Sequence, residues 1–236
     1  VISALSEVVI DGYTRSASTF AVYAFQLAQS RPVRMAHHLH APAQLIAAAK
    51  MGKPTLLVIR EPKGAILSQL IREPEVTLAN ALVAYARFHN CLMPYRSSFI
   101  VGDFEEVTRD FGSVIHRMNL RFGTSFGEFD HSDTNTKLCL DLIKHRPTTI
   151  PAWRATLLGF ESGTVTKDQL HRDQERYANE PQASGVTETW VPSIERELQK
   201  ESLNESWLQP KLSSRRRDAE ASYRALVGSD SGSPQR

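Results

Sequence analysis

The sequence predicts an α/β fold of three layers, α/β/α, with a central parallel sheet and a P-loop-like turn at the carboxyl end of the first strand. Three observations carry this reading. Short β-branched runs alternate with helical segments over residues 8–123. Those runs are apolar at every position, the pattern of strands covered on both faces rather than one. The first run leads through a glycine-initiated, hydroxyl-rich turn straight into a helix.

Taken in order, Val8-Val9-Ile10 is a strand stopped by Asp11-Gly12, and Ser18 to Gln29 is helical. His37 to His40 reads as an extended segment, followed by an Ala-rich helix from Pro42 to Lys50. Thr55 to Ile59 is the second strand; Lys63 to Ile71 is a helix with Pro62 suited to its first turn. A long helix from Val76 to Leu92 precedes a third strand, Ser98 to Val101. Turn formers such as Gly127, Pro147, Pro151, Gly159, Gly163, Pro181 and Gly185 then interrupt the pattern. Residues 124–190 therefore read as an irregular lid or acceptor region with short helical pieces at Thr136 to Lys144 and Thr166 to Tyr177. Helices from Pro192 to Trp207 and from Ser213 to Leu226 follow, the second with a solvated basic start, Arg215 to Arg217. The expectation is one domain over residues 1–227, with a disordered Ser/Gly/Pro tail at 228–236.

Composition removes several classes. The chain has 236 residues, enough to bury a sizeable core. Its 28 basic and 26 acidic residues leave a net charge of +2, which argues against a nucleic-acid-coating role but permits a local basic pocket. The longest apolar-looking stretch without a charge, Ser16 to Ser30, falls short of the roughly 20 apolar residues of a membrane span. Cys91 and Cys139 cannot by themselves make a disulfide framework or a zinc site. No signal peptide is read at the front, where Glu7 and Asp11 break the first apolar run, so a reducing cytoplasmic setting is expected.

The chemistry-bearing signals are three. Gly12-Tyr13-Thr14-Arg15-Ser16-Ala17-Ser18-Thr19 has the skeleton of a phosphate-binding loop: a tight exit, small residues that let backbone N–H groups approach an anion, and hydroxyls at a helix N-terminus. The lysine of an ATP-hydrolysing loop is replaced by Ser18 and the glycine before it by Ala17, while a cation stands earlier, at Arg15. Second, Arg60-Glu61-Pro62, followed by Ser68, sets a guanidinium at a strand's carboxyl end and a hydroxyl two helical turns on. Alone, Arg60 reads first as a partner of Glu61 or part of a helix cap, and only second as a phosphate ligand. Third, His37-His38-Leu39-His40-Ala41-Pro42 lies between them. On an extended segment His38 and His40 share a face and His37 takes the other; each also reads as a hydrogen-bonded packing residue. Phe20, Tyr23 and Phe25 read as core, and Glu105 and Glu106 as helix caps. His89, His116, His131, His145 and His171 lack metal-ligand spacing.

Together these signals resemble the sulfotransferases that use 3′-phosphoadenosine 5′-phosphosulfate (PAPS), over roughly Val8 to Gly123 and more loosely Pro192 to Leu226. The resemblance implies that Arg15, Ser16, Ala17, Ser18 and Thr19 hold the 5′-phosphosulfate, and that Arg60 and Ser68 grip the 3′-phosphate. Phe99 to Val107 is similar to the family's strand and acidic helix start. His40-Ala41-Pro42 matches the family's His-x-Pro base, whereas counting back from Arg60 favours His38; His40 ranks first and His38 second. Sulfuryl transfer needs a base for the acceptor's proton and a cation for the leaving oxygen, roles that imidazole and Arg15 suit. The resemblance implies no metal, a small-molecule or glycan acceptor with a hydroxyl or amine, and adenosine 3′,5′-bisphosphate as product. Ala17 departs from the family's glycine and would cost about 1 kcal/mol at a positive φ. Competing readings are a nucleotide or small-molecule kinase, and a catalytically silent nucleotide- or partner-binding module. The acceptor and the oligomeric state are not legible.

Overall fold

The computed structural model describes residues 1–177 and 193–228. The chain is a three-layer α/β/α fold: strands β1 (Val8–Gly12), β2 (Met35–His37), β3 (Thr55–Ile59) and β4 (Ile100–Asp103) form one parallel sheet in the order β2-β1-β3-β4. Within β1 and β3 alternate residues face opposite layers. Val8, Ile10, Leu56 and Val58 enter one core cluster, Val9, Leu57 and Ile59 the other. Both faces are covered, which is why Val8 to Ile10 and Leu56 to Ile59 are apolar at successive positions.

On the first face lie α1 (Ser18–Ala28), α6 (Phe111–Phe122), α7 (Asp133–His145), α8 (Pro151–Ser162) and α9 (Lys167–Tyr177), contributing Tyr23, Phe25, Ile115, Leu142, Trp153 and Leu170. On the second lie α2 (Pro42–Lys50), α3 (Pro62–Arg72), α4 (Leu78–Asn90), α11 (Asn204–Leu208) and α12 (Ser213–Val227), contributing Leu45, Ile66, Tyr85, Trp207 and Leu226. Short α5 (Phe104–Arg109) leaves β4, and α10 (Ile194–Ser202) packs on α3. None of the described helices is long and apolar enough to cross a membrane.

Several expectations need correction. β1 does not stop at Asp11-Gly12 but runs through both, because Gly12 pairs with Val58 so closely that a Cβ there would lie 2.0 Å from the Val58 carbonyl oxygen. Residues 124–177 are largely helical rather than an irregular lid. Pro151 sits at the start of α8 and Gly163 ends it at φ 75, so the residues read as breakers delimit a helix. Gly159 inside α8 lets Val165 approach, and Trp153, Leu157 and Phe160 are core. The helix expected from Pro192 to Trp207 is two, α10 and α11, parted at Leu203; Pro192 lies outside the described residues, as do 178–190 of the expected lid and 229–236 of the expected tail. Arg216 is not a solvated helix start: it donates to the carbonyls of Trp207 and Gln209, tying α12 to α11.

Candidate functional site

The site lies at the carboxyl ends of β1 and β3, where open α/β sheets bind ligands. Between β1 and α1 the loop turns twice through left-handed backbone, at Arg15 (φ 65) and Ala17 (φ 71), the latter capping α1. Alternation of this kind aims successive N–H groups into one concavity. Ser16 and Ser18 are buried, and neither hydroxyl has a hydrogen-bond partner. Both stand at the junction of the loop with the N-terminus of α1, where backbone N–H groups are also without intrahelical partners.

The two sequence motifs meet. Arg15 Nε donates to Ser68 Oγ at 3.0 Å, and Arg60 Nη1 approaches the Arg15 carbonyl oxygen at 3.4 Å. Glu61 does not neutralise Arg60 by a direct bond. Its carboxylate caps α3 by accepting from Gly64 N at 2.6 Å, a cap so tight that a Cβ on Gly64 would lie 2.0 Å from Glu61 Oε1. The Arg60 guanidinium lies over the Phe104 ring, 3.9 Å from its centroid, while Tyr85 donates its hydroxyl proton to the Arg60 carbonyl. Arg15, Ala17, Ser18, Thr19, His40, Arg60 and Ser68 thus line one cavity of about 560 Å³, within the usual range for small-molecule sites. Ser16, fully buried in the same loop, is not among the lining residues.

The cavity is strongly basic. Burial and then the charges of Arg196, Arg72 and Arg60 push the Arg15 guanidinium down to about 9; burial also lowers Arg60. Sequence reading missed Arg72, Glu73, Arg196, Glu197 and Lys200, all on the cavity wall. Arg72 follows Ser68 at i+4 on one helix face, a signal that was available; that α10 brings Arg196 and Lys200 here was not.

The histidines separate into two roles. His38 and His40 both have φ 52, so the segment is a turn rather than extended, although their rings remain neighbours with centroids 5.6 Å apart. Asp11 causes the turn by accepting from Leu39 N at 3.2 Å and from His40 N at 3.2 Å. The His38 side chain is 10% exposed and has both ring nitrogens engaged, Nε2 with Thr19 Oγ1 at 3.0 Å and Nδ1 with His37 Nδ1 at 2.6 Å. Burial, then His37, holds His38 well below the ordinary imidazole range, and burial brings His37 down to about 4 against the pull of Glu161. His40 is 31% exposed, and its Nδ1 lies 2.9 Å from the Gly12 carbonyl oxygen. A carbonyl can only accept, so Nδ1 carries the proton and Nε2 the lone pair. Of the two ranked candidates, His40 reaches the cavity and His38 braces the loop from behind.

His37, His38 and Glu161 set metal-type donor atoms within 4.8 Å of one another. The Glu161 carboxylate, however, already accepts from Arg146 Nε at 2.6 Å, Arg146 Nη2 at 3.2 Å and the Tyr23 hydroxyl at 2.8 Å. A guanidinium inside the donor set makes this a neutralised internal network joining α8, α1 and β2. Elsewhere Phe20, Tyr23 and Phe25 are core as expected, Phe20 also reaching the cavity wall, whereas the expected caps Glu105 and Glu106 only follow the cap in the first turn of α5, which Asp103 caps. Comparison of the chain with protein-family models, curated proteins and solved structures returned no match.

Proposed function

We propose that the chain is a sulfotransferase that uses PAPS and acts in a cytoplasmic setting on a hydroxyl or amine of a small-molecule or glycan acceptor. The observation that carries this reading is the pair of unpartnered, buried hydroxyls, Ser16 and Ser18, in a doubly left-handed loop whose arginine touches the Arg60–Ser68 pair. One anion site built of two motifs suits a nucleotide with phosphate at both the 5′ and 3′ positions better than a triphosphate chain. The residues fit: loop N–H groups, Ser18, Thr19 and Arg15 would hold the 5′ end, and Arg60 with Ser68 the 3′-phosphate. When bound, PAPS supplies the sulfuryl group and departs as adenosine 3′,5′-bisphosphate.

The chain's own contribution follows from the geometry. His40 Nε2 takes the acceptor's proton as the oxygen or nitrogen becomes nucleophilic. Arg15 is held by Ser68 in a partly desolvated place, where its charge acts more strongly on a developing anion than it would in water. His38 holds the Thr19 hydroxyl in place. Calorimetric titration tests the reading: adenosine 3′,5′-bisphosphate is expected to bind without magnesium and more tightly than ATP. Preference for ATP with magnesium would move the chain to the kinases, and binding of neither would leave the silent-module reading.

A further inference from the structure

Asp11, which shapes the turn through Leu39 and His40, also approaches the His40 ring. It is wholly buried at the carboxyl end of β1, and no lysine or arginine among the described residues pairs with it. Its Oδ1 accepts from Gly12 N at 2.9 Å and His40 N at 3.4 Å; its Oδ2 accepts from Gln44 Nε2 at 2.7 Å, Leu39 N at 3.2 Å and His40 N at 3.2 Å. Burial pushes the Asp11 carboxyl above its ordinary range, and against that stand the His40 ring and the surrounding donors, each of which favours the carboxylate. A buried charge without a counter-ion is expensive. The ring that could supply one is His40, whose Nδ1 lies 3.5 Å from Asp11 Oδ1 while it donates to Gly12 O.

We propose that Asp11 is the positioning residue for His40: it fixes the turn that presents the ring to the cavity, favours the Nδ1–H form, and draws a proton onto Nε2. As Nε2 gains that proton the ring becomes an imidazolium, and the adjacent carboxylate stabilises it without itself being protonated. This rests on His40 being the base of the function proposed above. Other charged groups also surround the ring, Arg72, Glu73, Arg196, Glu197 and Lys200 among them on the cavity wall. His38 and His37 lie beside it, with Glu161 and Arg146 behind them; Arg15 and Arg60 share its cavity wall; helix α2 contributes the neutral Gln44. Of these, Asp11 is the carboxylate in direct reach of Nδ1.

The test reads the ring directly and needs no acceptor. The chain of residues 1–236, labelled with 15N-histidine, is followed by long-range 1H–15N correlation across pH, the His40 signals being assigned by their loss in His40→Gln. The expected result is an Nδ1–H tautomer in the neutral ring of the parent, and a titration midpoint lowered by about 1 pH unit or more in Asp11→Asn. Because Asp11→Asn can disturb the turn, Gln44→Leu is measured as well. It removes a donor from Oδ2 but keeps the carboxylate, and should move the His40 midpoint upward. An Nε2–H tautomer in the parent overturns the proposal, as do His40 midpoints in folded variants that coincide with the parent's. Titration of the parent with adenosine 3′,5′-bisphosphate separates the two questions: absent binding removes the sulfotransferase reading, whereas the midpoints alone decide the coupling of Asp11 to His40.

Discussion

Replacing Arg60 with alanine separates recognition of the 3′-phosphate from recognition of the rest of the nucleotide. The guanidinium stands at the end of β3 in a fixed pose, over the Phe104 ring and beside the Arg15 carbonyl, so little ordering remains to be done when a phosphate arrives. Two charge-assisted hydrogen bonds from such a fork, at roughly 1.5 kcal/mol each at the low end, give about 3 kcal/mol, or a loss of about 100-fold or more in bisphosphate affinity. The folded chain itself should change little. The contact with Phe104 contributes about 0.5–1 kcal/mol, and against it stands the burial that already disfavours the charged form of Arg60. The assay is calorimetric titration of parent and Arg60→Ala with adenosine 3′,5′-bisphosphate and with adenosine 5′-phosphate, alongside urea unfolding of both. A selective loss for the bisphosphate, with unfolding free energies within about 1 kcal/mol, is the expected outcome. Equal weakening of both nucleotides, or none, would refute the assignment of Arg60 and Ser68 to the 3′-phosphate. Arg60→Lys should recover only part of the loss, because a point charge cannot reproduce the fork.

Three further predictions concern the scaffold. At Ala17, where φ is 71, stability should run in the order Gly, Ala, Val, with glycine ahead of alanine by about 0.5 kcal/mol and valine well behind; denaturation midpoints that do not follow that order would show the left-handed turn relaxes freely. His37 and His89 are held at about 4, and His38 well below its ordinary value of 6.5, so the unfolded chain binds protons that the folded chain does not. Their contribution is complete above about pH 6.5 and is lost as pH falls toward 4, by about 3 kcal/mol for one histidine shifted that far; urea midpoints across this window should fall with pH, and His89→Phe should flatten the slope. Leu157→Ala, at a fully buried position of α8, should cost about 2–5 kcal/mol by urea unfolding; a cost under 0.5 kcal/mol would place that helix at the periphery.

Local physics made much of this protein legible in its sequence. Apolar runs at Val8-Val9-Ile10 and Thr55 to Ile59 specify strands buried on two faces, and Gly12 followed by hydroxyls specifies a tight turn from a strand into a helix start. Arg60 at the end of a strand was visible for the same reason. Helix α8 was misread because proline and glycine are judged as breakers when their place in the helix is unknown; at its first position and just past its end they delimit it. Tertiary structure alone decided which charges share a cavity. Arg196 and Lys200 come from a helix more than a hundred residues beyond the loop, and no periodicity encodes where that helix packs. The division between His38 and His40 was equally hidden. Both precede Pro42 within one short segment, and only the buried carboxylate of Asp11, gathering the Leu39 and His40 N–H groups across from β1, turns one ring behind the loop and the other into the cavity.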